Sequence, residues 1–138
     1  MSQENVEAVE AWLAALHRRD LAALLELADP EVVYRSYLAS LAGEEEAYRG
    51  HEGLGNFLRD LADAWEWFHV ETIETRDLGN TVFQLGSLQA RGRSSGLEVS
   101  EQFAWLHHFR EGTGPGRYLG VERFGTADEA LEAAGLPE

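Results

Sequence analysis

Residues 97–110 read Leu-Glu-Val-Ser-Glu-Gln-Phe-Ala-Trp-Leu-His-His-Phe-Arg, and this sequence carries the main signal for the type of fold. Alternating, aromatic and β-branched side chains of this kind favour a β-strand. The segments near 67–76, 80–93 and 117–124 have the same character. Residues typical of turns separate them at 78–80, 94–96 and 111–116. Four consecutive strands therefore predict an antiparallel sheet in the second half of the chain.

Helical patterns precede this sheet. Apolar residues at three- and four-residue spacing predict a first helix through Val6, Val9, Leu13 and Leu16. Asp20 is placed to cap a second, short helix, and Asp29-Pro30 is placed to end it. A strand is then expected over residues 32–37, followed by a loop over 39–50 that includes an acidic Glu44-Glu45-Glu46 run.

The third and last helices complete the pattern. One apolar face predicts the third helix, with Leu54, Phe57, Leu58, Leu61, Ala62 and Trp65. Thr126 and Glu129 have the spacing of a capping box, and Gly135 closes the helix that they open. Helices segregated from an antiparallel sheet predict an α+β fold, and 138 residues suit one domain over 1–138.

Composition excludes several classes of function. The chain has no cysteine, so it has neither disulfides nor thiolate metal sites. Its formal net charge of −14 disfavours nucleic acid and anionic membranes, which attract basic surfaces. The five histidines lack ligand spacing and no glycine-rich phosphate loop is evident, so we expect no metal and no cofactor. The first residues lack the features of a signal peptide, and we expect a cytoplasmic protein.

Several short motifs together resemble the NTF2-like superfamily, most closely its SnoaL-like branch. The resemblance covers almost the whole chain, and it is carried by residues 17–24, Asp29-Pro30-Glu31-Val32, 48–53, 109–112 and 128–136. It implies a curved sheet wrapped around three N-terminal helices, a conical apolar pocket between them, and a short C-terminal helix. Many relatives are homodimers that pair through the outer sheet face. Known activities include isomerases, cyclases and epoxide hydrolases, whereas other relatives only bind ligands or proteins.

Strand parity predicts which side chains face the pocket. Glu101, Phe103, Trp105, His107 and Phe109 share one face, which the resemblance places inward. Pairing through a two-residue Ser95-Gly96 turn would put Gln84 opposite His107. The expected pocket residues are Trp12, Tyr34, Ser36, Phe57, Leu61, Gln84, Phe103, Trp105 and Val121.

The groups that steroid isomerisation needs are absent from the expected positions. That chemistry uses a carboxylate base with a tyrosine and a protonated aspartic acid. By the resemblance, these positions fall on Ser36, Trp12 and Trp105. Arg123 is available for an Asp–Arg–Asp epoxide hydrolase site, but no pair of inward aspartates accompanies it.

Three hypotheses follow from this pocket. The first is binding of an apolar or aromatic small molecule. The second is a cofactor-free cyclase, isomerase or hydrolase on a polyketide-like or terpenoid substrate, with His107 as general acid/base and Arg123 as oxyanion stabiliser. Glu101 is the candidate carboxylate on the same strand, about 20 Å from His107, so Arg123 would pair with one or the other. The third is a dimeric interaction module that works through its sheet face.

A homodimer is expected in any of these cases. Its contact face should carry Ala104, Leu106, Tyr118 and Phe124 on the outer side of the sheet, with Val99 at one end. Large apolar side chains on an exposed sheet face commonly mark an association surface. In this arrangement the acidic groups lie at the rim of the contact.

Overall fold

Two helices open the chain in the computed structural model, which describes residues 3–41 and 47–135. Helix α1 spans Gln3–Arg18 and α2 spans Leu21–Leu27. The predicted cap of α2 is confirmed, because Ala23 N donates to Asp20 Oδ1 at 3.1 Å. The Glu44–Glu46 run and Leu136 of the C-terminal motif lie outside the described residues.

The segment that was expected to be a strand and a loop contains three elements. Strand β1 spans Ala28–Arg35, α3 spans Tyr37–Leu41 and β2 spans Ala47–Arg49. The loop expected over 39–50 was therefore wrong at both ends. Helix α3 forms because Ala39 N donates to Ser36 Oγ at 3.2 Å and Leu38 becomes buried. A five-residue helix held by tertiary burial gives no periodic signal in a sequence.

Helix α4, Gly50–Ala64, lies against the sheet and completes the helical layer. Gly53 has a packing role in its first turns: a Cβ there would lie 2.9 Å from the carbonyl carbon of Tyr48. Helix α4 and β2 can therefore approach closely only with glycine at this position. Within the described residues, no helix has the length and apolarity that a membrane crossing requires.

The remaining strands extend the sheet to six strands in the order β2-β1-β6-β5-β4-β3. Their bounds are β3 Trp65–Asp77, β4 Thr81–Gly92, β5 Glu98–Phe109 and β6 Tyr118–Phe124. Neighbours pair antiparallel except β1 and β6, which run parallel, so the sheet is mixed. The predicted antiparallel pairing of the four later strands is confirmed, whereas the parallel pairing of β1 with β6 was not predicted, because no local pattern links strands so distant in sequence.

The register between β4 and β5 differs by two residues from the expected one. Gln84 lies opposite Trp105, and His107 lies opposite Val82. The connection spans residues 93–96 and not the expected two, since Gly92 N donates to Leu97 O at 2.8 Å and Gly96 N donates to Gly92 O at 3.1 Å. A shift of two preserves the facing of every side chain, so the predicted inner face is retained.

A β-bulge in β6 reverses the facing of Tyr118. His108 pairs with Gly120 and Phe109 pairs with Tyr118, so β6 has one extra residue between two adjacent positions of β5. Gly120 has a φ of +128°, and a Cβ there would overlap Val33 O on β1. The extra residue turns Tyr118 into the core, where it packs against Trp12. Tyr118 was therefore wrongly assigned to the outer face, because parity counting assumes an unbroken strand.

Helix α5, Ala127–Ala133, covers the apolar part of the outer sheet face. Thr126 caps it as predicted, while Glu129 Oε1 accepts from Gly125 N at 3.1 Å, one residue further back than a standard capping box. Ala104 and Leu106 are buried with Ala130 and Leu131 in a second core. Both do face outward, but neither is available for the expected dimer contact.

Val99 also departs from the dimer expectation. It belongs to the main core on the inner side of the sheet, where it pairs with Ala90 of β4. It shares the parity of Phe103 and His107 and therefore cannot lie at the end of an outer patch. Of the residues named for that patch, Phe124 alone is both outward and partly exposed.

Candidate ligand cavity

A cavity of about 70 Å³ lies between the helical layer and the inner face of the sheet. Its walls are mostly aromatic and aliphatic. They include the catalytic candidate His107 and these residues of the expected pocket: Tyr34, Ser36, Phe57, Leu61, Gln84, Trp105 and Val121. Leu13, Leu16, Arg35, Tyr37, Leu38, Phe68, Val70 and Leu88 complete the lining. Among these described lining residues there is no carboxylate, so a carboxylate base facing the cavity is missing.

Trp12 and Phe103, which were also expected to line the pocket, stand behind its wall. Trp12 is fully buried, with its ring centroid 5.4 Å from that of Tyr34 and 4.3 Å from that of Tyr118. Its indole N–H has no hydrogen-bond partner among the described residues. Phe103 packs edge-on against Tyr37 and Trp105. Both residues therefore support lining side chains and do not contact the cavity.

A chain of hydrogen bonds crosses four strands at the base of the cavity. Gln84 Nε2 donates to Thr72 Oγ1 at 2.8 Å, which leaves Gln84 Oε1 as an acceptor. His107 Nε2 lies 2.7 Å from that oxygen and therefore carries the proton of the neutral ring. The opposite ring nitrogen, Nδ1, accepts from Tyr118 O–H at 2.9 Å. We call Thr72, Gln84, His107 and Tyr118 the base network.

Burial keeps the base network uncharged. Desolvation, with a smaller contribution from His108, lowers the pKa of His107 to about 3. Desolvation also raises the pKa of Tyr34 to about 12, against an opposing effect of the Trp12 indole, and holds the pKa of Tyr118 well above 10.0. At neutral pH, His107 is a neutral imidazole with both nitrogens engaged.

The three candidate catalytic residues do not come together. His107 is at the base, whereas Glu101 and Arg123 are exposed at the mouth. Glu101 Oε2 accepts from Tyr37 O–H at 3.1 Å, and the Arg123 guanidinium carbon lies 4.4 Å from the Tyr37 ring centroid. The alternative pairing of Arg123 with Glu101 is not formed either, because the ion pairs between described residues do not include it.

Sequence reasoning missed Tyr118 as part of the site. Its inward position depends on the bulge at Gly120, and the available signal was that glycine inside a strand pattern. The interpretation of an isolated strand glycine as a bulge would have moved Tyr118 beside His107.

Motifs that carry the family resemblance meet in a structural cluster and do not line the cavity. Arg110 Nε donates to Asp29 Oδ2 at 2.6 Å, and this side chain is the main reason that the pKa of Asp29 lies below its usual range. His51 Nε2 donates to Ala28 O at 2.9 Å, which joins the start of α4 to the start of β1. Within residues 3–41 and 47–135, no group of three or more acidic or histidine side chains could hold a metal ion.

Solved structures share this architecture along nearly the whole chain. An NTF2-like protein of unknown function from Burkholderia pseudomallei superposes with a TM-score of 0.74 at 22% identity, covering 96% of this chain and 97% of the other. TerC, co-crystallised with polyporic acid, superposes with a TM-score of 0.72 at 20% identity, covering 94% of this chain and 97% of the other. A protein of ketosteroid isomerase-like fold from Catenulispora acidiphila, in complex with trimethylamine, gives 0.69 at 19% identity, covering 95% and 94%.

The sequence itself assigns the family. No curated relative matches this chain. The SnoaL-like domain matches residues 9–113, which is well over half of the chain. Together with an NTF2-like fold of helices on a six-stranded mixed sheet, this match identifies the chain as a member of the SnoaL-like family.

Proposed function

We propose that this protein binds a small apolar or aromatic molecule in the cavity between its helices and its sheet. The observation that carries the proposal is the cavity itself, with aromatic and aliphatic walls and a few polar groups at fixed positions. Such a combination is typical of small-molecule sites. The structures with polyporic acid and trimethylamine are precedents for ligands in this fold, and they do not identify the ligand of this chain.

The volume restricts the ligand to a compact molecule. An apolar cavity of about 150 Å³ is known to bind benzene, whereas the volume of the cavity here is about 70 Å³. A single ring therefore requires movement of a side chain at the wall. Trp105 and Tyr37 are only partly buried and are the lining aromatics best placed to move.

A binding experiment with a matched pair of variants tests this proposal. Toluene, phenol and 3-methylbutanol are the probes, and thermal shift and calorimetry are the readouts. Val121→Ile adds one methylene to the lining, and Val99→Ile adds the same group to the core behind it. We expect a probe to stabilise the wild type and the Val99→Ile variant, with weaker binding to the Val121→Ile variant. No shift with any probe, or equal binding to both variants, would contradict binding in this cavity.

Catalysis by His107 is the competing proposal, and the position of the imidazole on the cavity wall favours it. General acid/base catalysis works best with a pKa near the operating pH, and the pKa of His107 is about 3. Its nitrogens must also leave Gln84 and Tyr118 before either can reach a substrate. An NMR titration decides between the two: imidazole shifts that stay constant from about pH 8 to 5 favour binding alone, and a titration near pH 6–7 favours catalysis.

A homodimer remains a prediction, but the surface first expected to form its contact is not available. Helix α5 covers Ala104 and Leu106, so the interaction-module hypothesis also loses its surface. The exposed large apolar side chains among the described residues lie apart from α5, as Trp67 and Ile73 on β3 and Leu97 in the β4–β5 connection. Light scattering at micromolar concentration in moderate salt tests the dimer directly, and a monomeric mass would contradict it.

A further inference from the structure

A second, more polar space adjoins the cavity at its mouth. This cleft of about 320 Å³ is lined by Arg35, Ser36, Tyr37, Glu122 and Arg123. Arg35, Ser36 and Tyr37 also line the apolar cavity, so the two spaces share a wall. A molecule that lies across both spaces meets apolar side chains at one end and a cleft lined by two arginines at the other.

Both arginines lack a carboxylate partner among the described residues. Arg91, Arg110 and Arg117, by contrast, each have one within 4 Å. Six of the eleven arginines have no such partner within the described ranges, and Arg35 and Arg123 are the two of these that line the same cleft. An arginine that is spared from the surrounding carboxylates keeps its charge and its donors available to a ligand.

Arg123 is held in place by contacts that do not use its N–H donors. Its guanidinium carbon lies 4.4 Å from the Tyr37 ring centroid and 5.0 Å from that of Phe103. Stacking on aromatic faces fixes the orientation of the guanidinium plane while its edges remain free for hydrogen bonds. The cation is therefore preorganised beside the cavity.

Two described carboxylates beside the cleft, those of Glu122 and Glu101, are committed to other partners. Glu122 Oε1 accepts from His108 Nε2 at 2.8 Å, and this pair belongs to the outer side of the sheet with Leu106. Glu101 Oε2 accepts from Tyr37 O–H at the rim. Neither carboxylate is paired with Arg35 or Arg123, so the cleft keeps a cationic wall.

We propose that this site selects small amphipathic anions, namely monocarboxylic acids with a short branched chain or a single ring. The carboxylate lies between Arg35 and Arg123 in the cleft, and the apolar part enters the cavity beside Trp105. The inference rests on the proposed function and adds to it the charge of the ligand. Guanidinium groups suit this role because their planar N–H donors match the two oxygens of a carboxylate.

The test compares an acid with its neutral amide. Calorimetry measures the dissociation constants of phenylacetate and phenylacetamide for the wild type and for three variants that each remove one positive charge. Arg35→Gln and Arg123→Gln alter the cleft. Arg59→Gln is the matched control, because Arg59 is exposed on α4 and hydrogen-bonds to Asn56.

We expect phenylacetate to bind the wild type about tenfold or more tightly than the amide, as charged hydrogen bonds allow. Each cleft variant should weaken phenylacetate by about tenfold and leave the amide unchanged. The Arg59→Gln variant should bind both as the wild type does. Equal binding of acid and amide, or equal weakening in all three variants, would overturn the inference. Binding of toluene without phenylacetate would overturn it and leave the proposed function intact, whereas binding of no probe would overturn both.

Discussion

The base and the mouth of the cavity handle polar groups in opposite ways. At the base, Gln84 and His107 are almost fully buried, and each makes its hydrogen bonds within the protein. At the mouth, Arg35 and Arg123 are exposed and have no carboxylate partner among the described residues. A buried group with saturated hydrogen bonds stabilises one structure, whereas a charge without a partner can bind a ligand. The difference assigns stability to the base and recognition to the mouth.

The largest loss of stability is expected at the β6 bulge, where the backbone places Tyr118 in the base network. A Cβ at Gly120 would overlap Val33 O, and its φ of +128° strains any other residue. Gly120→Ala should therefore destabilise the fold by more than about 3 kcal/mol or prevent folding. Gly55→Ala is the control, because a Cβ there makes only ordinary contact at 3.8 Å and alanine favours the helix. Urea unfolding measures both, and equal stability of the two variants would refute the role of the bulge.

The base network should make the next largest contribution to the free energy of unfolding. His107→Leu leaves Gln84 Oε1 and Tyr118 O–H without their partner, which should cost about 2–4 kcal/mol. Tyr118→Phe removes the hydroxyl that His107→Leu leaves without an acceptor. The stability losses of the two substitutions should therefore not add. A double-mutant cycle in urea should give a coupling of about 1–2 kcal/mol. Additive losses would show that His107 and Tyr118 do not stabilise each other.

The pH dependence of stability follows from the neutral state of His107. Its folded pKa of about 3 lies below the unfolded value of 6.5, so the unfolded chain binds the proton more readily. This group has no effect above pH 6.5, and the free energy of unfolding falls by about 1.4 kcal/mol per pH unit below it, until about pH 3.

Between pH 6.5 and 5 the expected loss is about 2 kcal/mol. The His107→Gln variant lacks this contribution, so its stability deficit relative to the wild type should shrink across that interval. His17, whose pKa is also lowered by burial, is present in both proteins and cancels. Urea unfolding at both pH values measures the gap, and a constant gap would mean that His107 is not held neutral.

The smallest effect on stability is expected at the mouth. Arg35→Gln and Arg123→Gln break no ion pair with a described carboxylate, and each should change the free energy of unfolding by less than about 1 kcal/mol. Thermal and urea unfolding provide the measurement. A loss as large as that of His107→Leu would show that these arginines support the fold, and the contrast between base and mouth would fail.

The sequence predicted most of the fold because its signals are local and repetitive. The apolar spacing in α1, the Asp20 and Thr126 caps and the alternation through 98–109 all describe neighbours in the chain. The parallel pairing of β1 with β6 and the short α3 were missed, because both depend on contacts between distant segments. The two-residue register error had the same origin, since turn length was guessed from composition.

The candidate site was predicted less completely, for related reasons. Parity placed Trp105 and His107 on the correct face, and it failed for Tyr118, where one extra residue breaks the strand. Alternation alone could not show that Glu101 and Arg123 reach the mouth and not the base. Whether Arg123 pairs with a carboxylate depends on where the acidic side chains lie in the folded structure. A pattern of residue types does not contain that information.

A crystal structure of the protein soaked with phenylacetate would show which end of the cavity binds the carboxylate. We expect the ring in the cavity beside Trp105, with the carboxylate within hydrogen-bond reach of Arg35 and Arg123 and with the base network unchanged. A carboxylate bound at His107, with the Gln84 and Tyr118 hydrogen bonds broken, would contradict the division between a structural base and a recognising mouth.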